Sequence, residues 1–391
     1  MPKKGIGIYQ RKDGTWEGQH YVGIDPLTGK RKKVTCYGKT EKEAKEKLIA
    51  IKNEIQTGVY IEKNKMTVKD WFTQWLDVYA SPNVKQSTFV NYRLHINKRV
   101  IPILGGIKLS EVRVDVLQRF FNEQYERGGL KNKKPLSEKT IKNIYVMMHT
   151  AFKQAYQNGL ILKNFVELVK IPKVKQKDMR VLSIEEHKNL FETIKTSNER
   201  WKSAILVAVS TGIRMGEVLG LQWQDIDETT MLMKIRRTLN RLPSRDTSVH
   251  KTEIVIGYPK SDKSVRDIPI HDFLMEFLSE YREKREVEKI AAGDIYDTRG
   301  FIFCNEIGGP IEPRTMQDTF KRIIKKAEIL DANFHSLRHT FATRAIEDNM
   351  EIKTLSEILG HADVSTTLNK YAHSLPDQKR KMMTSMAKFY E

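Results

Sequence analysis

Four side chains suited to phosphate chemistry lie in the C-terminal stretch from His335 to His373. They are two imidazoles, a guanidinium group and a phenol: His335, Arg338, His361 and Tyr371. A guanidinium group can bind two phosphate oxygens at once, and a phenol becomes a nucleophile when a base and positive charge activate it. The stretch is either a packed helical end with ordinary polar residues or a phosphate-handling site with a nucleophile.

Two further cations lie upstream. Arg214, in TGIRMGEV, falls at a break between two segments that are predicted to be buried helices. It either pairs with Glu217 one turn further on or faces an anionic ligand, and its position alone slightly favours the pair. Lys260 ends the strand-like segment KTEIVIGYPK, before a predicted hairpin turn at 261–263. By itself it is interpreted as a solvated charge at a strand edge.

Several other chemistries lack their motifs. The sequence contains no GxxxxGK[ST] phosphate loop, no GxGxxG after a strand and no Gly-x-Ser-x-Gly elbow. His335 and His339 have the spacing of zinc ligands, but HSLRH has a serine where a zincin has its glutamate. No cluster of aspartate and glutamate suggests a two-metal nuclease site.

Composition points to a polyanionic partner. The 391 residues carry a formal net charge of +19, most of it in the first 172 residues, and such an excess is typical of nucleic-acid-binding proteins. Two cysteines cannot form a structural zinc site alone. The sequence shows no signal peptide and no apolar run long enough for a membrane span. We therefore expect a cytoplasmic protein of two or three domains.

Residues 1–65 are predicted to form a small domain that contains a three-stranded antiparallel sheet and one helix. Turn signals separate the strands, and Thr40 with Glu43 has the spacing of a capping box. The sheet face opposite the helix could enter DNA, or it could be a solvated basic surface. The candidate DNA-binding residues on this face are Arg11, Lys12, Trp16, Tyr21, Arg31 and Lys33.

Residues 66–172 are predicted to form a four-helix domain. Basic side chains cluster near its loops and helix starts, where lysine and backbone N–H groups suit phosphate. Solvated helix faces would explain any one of them. The candidates for DNA contact are Lys85, Arg93, Lys139 and Lys142.

Residues 173–391 are predicted to form a mixed α+β domain. Its helix GEVLGLQWQDID is followed by the strand-like segments MLMKIRRTLNR, KTEIVIGYPK and SVRDIPI, and FIFCNE is expected to be a short buried strand. The predicted fold class is therefore multidomain and mainly α, with small β-sheets.

The six site residues, with their flanking sequences, resemble the tyrosine recombinase (phage integrase) family. The order is Arg in TGIRMGEV, Lys before SVRDIPI, HSLRH, LGH and finally Tyr in NKYAH. The resemblance covers the whole chain and is most like integrases of Gram-positive phages and conjugative transposons. It implies an arm-type DNA-binding domain at 1–65, a core-type DNA-binding domain at 66–172 and a catalytic domain at 173–391.

The resemblance also implies roles for the six residues. Tyr371 would attack DNA and form a 3′-phosphotyrosine. Arg214 and Arg338 would clamp the phosphate, His361 would donate a hydrogen bond to it, and His335 would assist proton transfer at the phenol. The proton donor to the leaving group would be Lys260, and Glu217 would support the site. Neither a metal nor a nucleotide cofactor is implied, since side chains supply the positive charge.

The implied partners are double-stranded DNA with core-type and arm-type sites and three further copies of the chain, as a tetramer on two duplexes joined through a Holliday junction. An excision factor and a host DNA-bending protein are possible additions, and no membrane is expected. A C-terminal tail helix with Met382, Met383, Met386 and Phe389 could pack on its own domain or dock on a neighbour. Two alternative functions stay open. One is a type IB topoisomerase that relaxes supercoils, and the other is a DNA-binding protein that has lost catalysis.

Overall fold

The computed structural model describes residues 7–24, 29, 31–56, 65–175, 179–244, 252–257, 264–371, 383, 384, 386 and 390. The chain divides into two compact units, Met1–Gln176 and Lys177–Glu391. Within the described residues, no helix is both long and apolar enough to cross a membrane.

The first part of unit 1 is the predicted sheet with its helix. Strands β1 (Ile8–Gln10), β2 (Trp16–Ile24) and β3 (Arg31–Gly38) pair antiparallel in the order β1-β2-β3. Helix α1 (Glu41–Gln56) follows and begins at Thr40, whose hydroxyl accepts a hydrogen bond from the Glu43 N–H group at 3.2 Å. Ala44 and Leu48 of α1 are buried against the sheet, next to Gly38 and Gly18.

One candidate DNA contact, Trp16, lies on the sheet face that α1 covers and not on the free face. Trp16 pairs directly with Gly38, and a Cβ atom at Gly38 would lie 2.5 Å from the backbone nitrogen of Ala44 in α1. Cross-strand partners point to the same side of a sheet, so Trp16 lies on the face that α1 covers. The prediction that Trp16 belongs to the free face was wrong, because the segment TWEGQH does not reveal which half of its alternation faces the helix.

The remaining part of unit 1 is helical, as predicted. Two of its helices contain a π-helical turn and continue as α-helix beyond it, at Trp75–Ala80 and at Ile96–Val100. The α-helical segments are α2 (Val68–Gln74), α3 (Ser81–Asn83), α4 (Gln86–His95), α5 (Ile101–Leu104), α6 (Val114–Arg127) and α7 (Glu138–Gln157). Short 3₁₀ turns occupy Leu109–Glu111 and Phe165–Leu168.

Apolar burial and helix caps explain this arrangement. Trp71, Phe72, Phe120 and Phe152 lie in one hydrophobic core, which the helices of this part share. The Ser137 hydroxyl accepts a hydrogen bond from the Thr140 N–H group at 3.3 Å, so α7 begins directly after Ser137. Because the core residues all come from 66–171, this part has a hydrophobic core separate from that of the sheet.

Unit 2 combines helices with two small sheets. Its helices are α8 (Ile184–Thr196), α9 (Lys202–Thr211), α10 (Met215–Gly220), α11 (Asp272–Ala292), α12 (Pro313–Lys326), α13 (Phe334–Glu347), α14 (Ile352–Leu359) and α15 (Val364–Tyr371). Its strands are β4 (Ile226–Asp227), β5 (Leu232–Ile235), β6 (Thr238–Pro243), β7 (Thr252–Gly257) and β8 (Arg266–Pro269). The mainly helical fold with small antiparallel sheets confirms the predicted class.

The strands pair differently from the prediction. Strand β7 pairs with β6, and β8 pairs with β5, so the described parts of β7 and β8 belong to different sheets and do not form a hairpin with each other. The segment MLMKIRRTLNR divides into β5 and β6 at Arg236 and Arg237. Arg236 donates to the backbone oxygen of Arg266 at 3.1 Å, while Arg237 pairs with Asp225. These two contacts fix Arg236 and Arg237 in the interruption between β5 and β6.

Two other segments are shorter than predicted. The helix GEVLGLQWQDID ends at Gly220, because the Leu221 carbonyl and the Trp223 N–H group bond to Ile302 and Gly300 instead of continuing the helix. A 3₁₀ turn at Trp223–Asp225 follows. The first four residues of FIFCNE are buried, but the segment makes isolated bridges through Phe301 and Cys304 and is not a continuous strand.

Candidate active site

Arg214 lies directly after the break that ends helix α9. Gly212 closes α9 with φ 66°, a left-handed conformation that favours glycine. A Cβ atom at Gly212 would lie 2.5 Å from the Phe341 ring, so the turn needs glycine for space as well. The turn places Arg214 at the start of α10, where it donates to Glu217 at 2.7 Å and to the Gly360 carbonyl at 3.3 Å. Pairing of Arg214 with Glu217 is therefore confirmed.

Glu217 is shared by two arginines. The guanidinium group of Arg266 donates to both carboxylate oxygens of Glu217, at 2.9 and 3.3 Å. Burial would raise the pKa of Glu217, but the charges and hydrogen bonds of Arg266 and Arg214 lower it below its usual value. Arg266 also donates to the Ile358 carbonyl at 2.5 Å. It thereby connects the Arg214 turn to the end of α14.

We expect Arg266→Met to destabilise unit 2 by about 3 to 5 kcal/mol, because the buried carboxylate of Glu217 loses its main partner. The measurement is the unfolding free energy from hydrogen exchange of the buried α9 amides. The matched control is Arg314→Met, which breaks an exposed pair with Asp318 and should cost no more than about 0.5 kcal/mol. Equal effects of the two substitutions would contradict a central role for Arg266.

Arg338 is almost fully buried, at 2% exposure. The Asn333 side chain caps α13 by accepting from the His335 N–H group at 2.9 Å, and this start directs Arg338 inward one turn later. Arg338 donates to the carbonyls of Gly212 at 3.0 Å and Leu359 at 2.6 Å. Burial and the nearby guanidinium group of Arg214 lower the pKa of Arg338 to about 9, so the group stays charged at neutral pH.

His361 follows the left-handed Gly360 that ends α14, where φ is 63°. A Cβ atom at Gly360 would lie 2.9 Å from the Arg266 guanidinium group. The His361 backbone N–H group donates to the Ser356 carbonyl at 3.0 Å, and its ring Nδ1 is 2.7 Å from the Thr367 hydroxyl. The end of α14, which also carries the Leu359 carbonyl, therefore holds the His361 backbone, and Thr367 of α15 orients its ring.

Tyr371 lies in the last turn of α15, with 1% of its surface exposed. Asp363 starts α15 by accepting from the Ser365 N–H group at 2.9 Å. The Tyr371 ring packs with Ala342, Ile346 and other residues of a small apolar cluster. Burial raises the pKa of Tyr371 to about 12, and the charge of Arg338 acts in the opposite direction. The phenol needs help to ionise at neutral pH.

Two histidines occupy successive turns of α13. His335 is exposed, and its ring centre lies 4.6 Å from that of His339 in an edge-on arrangement. His339 is 9% exposed, and its Nδ1 lies 2.9 Å from the hydroxyl oxygen of Tyr371. Thus the described contacts place His339 directly against the phenol, and the His335 ring against that of His339.

Five of the six predicted catalytic residues lie in this part of unit 2: Arg214, His335, Arg338, His361 and Tyr371. Lys260 lies outside the described residues, as does most of the predicted tail helix. Sequence analysis missed Arg266 and His339. Arg266 could have been found from the sequence. It alternates with Ile268 and Ile270, and this pattern places a charged side chain on the inward face of β8. The i, i+4 spacing of His335 and His339 indicated a shared helix face, although it was weighed solely as a zinc motif.

The candidate DNA contacts of unit 1 lie mostly on its surface. Tyr21, Arg31 and Lys33 are exposed, as are Lys12, Lys85, Lys139 and Lys142. Arg11 is 3.5 Å from Glu17 and stacks over Tyr37 on the free sheet face, whereas half-buried Arg93 lies over the Phe89 ring. These positions are compatible with phosphate contact, which stays a prediction.

The largest family match covers more than half of the chain. Residues 180–378 match the phage integrase family. The chain belongs to the phage integrase family. Two further matches lie upstream of this one: an N-terminal SAM-like domain of phage integrases at residues 67–124, and an arm DNA-binding domain at residues 8–55.

Other phage integrase family members resemble the chain over most of its length. A tyrosine recombinase XerC-like protein of Caldanaerobacter subterraneus subsp. tengcongensis is 33% identical, over 92% of this chain and 92% of the relative. The ICEBs1 integrase of Bacillus subtilis is 23% identical, over 96% of this chain and 98% of the relative. The predicted resemblance to recombinases and integrases is confirmed.

Solved phage integrases share the fold. The Tn1549 transposon integrase in complex with a circular intermediate DNA aligns with a TM-score of 0.67 and 24% identity, over 82% of this chain and 99% of that chain. A lambda integrase tetramer bound to a Holliday junction aligns with a TM-score of 0.54 and 20% identity, over 94% and 96% of the two chains.

Proposed function

We propose that this protein is a site-specific DNA recombinase that integrates and excises a mobile element. It cleaves each strand through a 3′-phosphotyrosine and exchanges strands through a Holliday junction. The observation that carries the proposal is the convergence of Arg214, Arg338, His361 and Tyr371 from four separate segments of unit 2. A phenol held next to a buried guanidinium group is the arrangement that nucleophilic attack on a phosphodiester needs.

Each site residue has a proposed part in the reaction. Arg214 and Arg338 bind the non-bridging oxygens and stabilise the charge of the transition state. His361 donates a further hydrogen bond to the same phosphate. His335 assists proton transfer at Tyr371, and Lys260 protonates the 5′-oxygen that leaves. Glu217 holds Arg214 and does not react.

The phosphotyrosine link conserves the energy of the broken phosphodiester. The 5′-hydroxyl of a second duplex can therefore attack it and reseal the strand without a nucleotide cofactor. Because guanidinium, imidazole and ammonium groups supply the positive charge, the reaction needs no metal ion. Four copies of the chain on two duplexes provide the four cleavages that a complete exchange requires.

The domains divide the work between recognition and chemistry. Residues 1–65 bind arm-type sites, residues 66–172 bind core-type sites next to the cleavage point, and residues 173–391 carry out catalysis. A C-terminal tail helix docks on a neighbouring copy. An excision factor and a host DNA-bending protein set the direction of the reaction.

One assay tests the proposed activity. The full-length protein is mixed with a nicked suicide duplex taken from the joined ends of the element, and with an intact partner duplex. We expect a covalent protein–DNA adduct that survives detergent, together with joined products from the two duplexes. An adduct with supercoil relaxation but no joined products would indicate a type IB topoisomerase. Tight binding with no adduct would indicate a DNA-binding protein without catalysis.

We expect Lys33→Ala to weaken binding to arm-type DNA and to reduce the slope of log affinity against log salt by about one, since one phosphate contact is lost. Lys33 is exposed on the free face of the sheet, opposite Tyr21. The matched control is Lys45→Ala, an exposed lysine on α1, which should leave both quantities unchanged. If Lys45→Ala had the larger effect, DNA would bind the helix side of this domain.

A further inference from the structure

The hydroxyl of Tyr371 meets an imidazole that the family pattern of six residues does not include. His339 Nδ1 and Tyr371 Oη are 2.9 Å apart, an ordinary hydrogen-bond distance. The two rings are tilted by 59°, with their centres 5.9 Å apart. A direct polar contact therefore joins His339 to the atom that attacks DNA in the proposed reaction.

Burial makes this contact chemically significant. Tyr371 is 1% exposed and His339 is 9% exposed, so bulk water has little access to the space between them. A buried phenol resists ionisation, because its anion would lose hydration. A nearby base can remove the proton during attack, so that a free phenolate never has to form.

His335 has a different environment. It is exposed, and its described ring contact is with the His339 ring, edge-on at 4.6 Å. The described contacts therefore join the phenol to His339, and His339 to His335. Through this pair of contacts, His335 can assist Tyr371 by way of His339.

We propose that His339 is a further catalytic residue, and that its Nδ1 accepts the hydrogen bond of the Tyr371 hydroxyl and takes its proton during attack. As the Oη–H bond breaks, the proton moves to Nδ1 and the bond from Oη to phosphorus forms. The bond from phosphorus to the 5′-oxygen breaks, and that oxygen receives its proton from Lys260. His335, beside His339 and open to solvent, stabilises the imidazolium and passes the proton on. This inference rests on the proposed function.

Two substitutions at position 339 separate hydrogen bonding from proton acceptance. His339→Asn keeps a polar atom near the position of Nδ1 but cannot take a proton, whereas His339→Leu removes both properties. The measured quantity is the single-turnover rate of adduct formation by the full-length protein on the suicide duplex. We expect both variants to slow cleavage by at least about 100-fold, with DNA affinity unchanged.

The matched control is His187→Asn. His187 is half-buried on α8 and packs against Phe191 with ring centres 5.4 Å apart, away from the phenol. This variant should cleave DNA within about 3-fold of the wild-type rate, a difference far below that expected for loss of a general base. Melting temperatures of all variants identify any loss of folding.

A fluorinated tyrosine at position 371, with a phenol that ionises more readily, provides the decisive readout. The rate gap between His339→Asn and the wild type should shrink to less than about 10-fold in this background, because a more acidic phenol depends less on a base. A gap that stays at its original size would overturn proton acceptance, since a purely structural defect does not respond to phenol acidity. Cleavage by His339→Asn at the wild-type rate would overturn it as well.

The test also distinguishes this inference from the proposed function. If the wild-type protein forms no adduct, the proposed function fails before any histidine variant is compared. If the wild type forms the adduct and the His339→Leu variant forms it equally fast, the recombinase assignment stands and the role of His339 is refuted.

Discussion

Tyr371→Phe should form no covalent adduct on the suicide duplex, with a loss of at least about 10⁴-fold in cleavage rate. The substitution removes the one oxygen that can bond to phosphorus and leaves the ring in its apolar cluster with Ile346 and Leu355. The measurement is the fraction of radiolabelled DNA retained with denatured protein. Core-site affinity should stay at the wild-type value, because phosphate binding depends on the cationic groups.

The control for this prediction is Tyr390→Phe. Tyr390 is 84% exposed, and its replacement should leave adduct formation unchanged. Tyr371→Phe also leaves His339 Nδ1 without the phenol, so we expect a loss of about 1 to 3 kcal/mol in stability. An adduct that persists in Tyr371→Phe and disappears in Tyr390→Phe would transfer the nucleophile to Tyr390 and refute the site proposed above.

Lys260→Ala should slow cleavage of a normal phosphodiester by roughly 10³-fold, the effect of losing a general acid. The same variant should cleave a duplex with a 5′-bridging phosphorothiolate at nearly the wild-type rate, since a thiolate leaves without a proton. The measurement compares single-turnover rates of both proteins on both duplexes.

Arg214→Ala is the matched comparison for this substrate pair. Arg214→Ala is expected to lose phosphate binding and stabilisation of the transition-state charge. The phosphorothiolate duplex should therefore not restore its cleavage rate. Equal losses on the two duplexes for Lys260→Ala would rule out the general-acid role and leave Lys260 as a further phosphate contact.

Local sequence signals predicted most of the helices. Ser137 and Ser183 both cap helices, and Gly212 ends α9 at the predicted break next to Arg214. These features depend on neighbours within a few residues, so a single sequence contains the needed information. The order and flanks of the six predicted catalytic residues also indicated the family, because each local motif is short and complete.

Long-range partners were harder to predict. The division of MLMKIRRTLNR into β5 and β6 depends on contacts of Arg236 and Arg237 with distant segments, and no local signal specifies them. The same is true of Trp16, whose side of the sheet follows from where α1 packs. His339 was not predicted as a site residue for a related reason. Its contact partner, Tyr371, lies 32 residues further along the chain.

The placement of Arg338 has a consequence for folding. Its described hydrogen bonds go to the backbone carbonyls of Gly212 and Leu359, while the nearby carboxylate of Glu217 is occupied by Arg214 and Arg266. The lowered pKa of Arg338, about 9, means that folding makes this cation less favourable than it is in the unfolded chain, so the charged group reduces stability at neutral pH. In the proposed reaction, a DNA phosphate would supply a counter-ion to this group. The proposed phosphate contact would therefore link DNA binding to the folding of unit 2, because the bound phosphate would offset the stability that the buried charge removes.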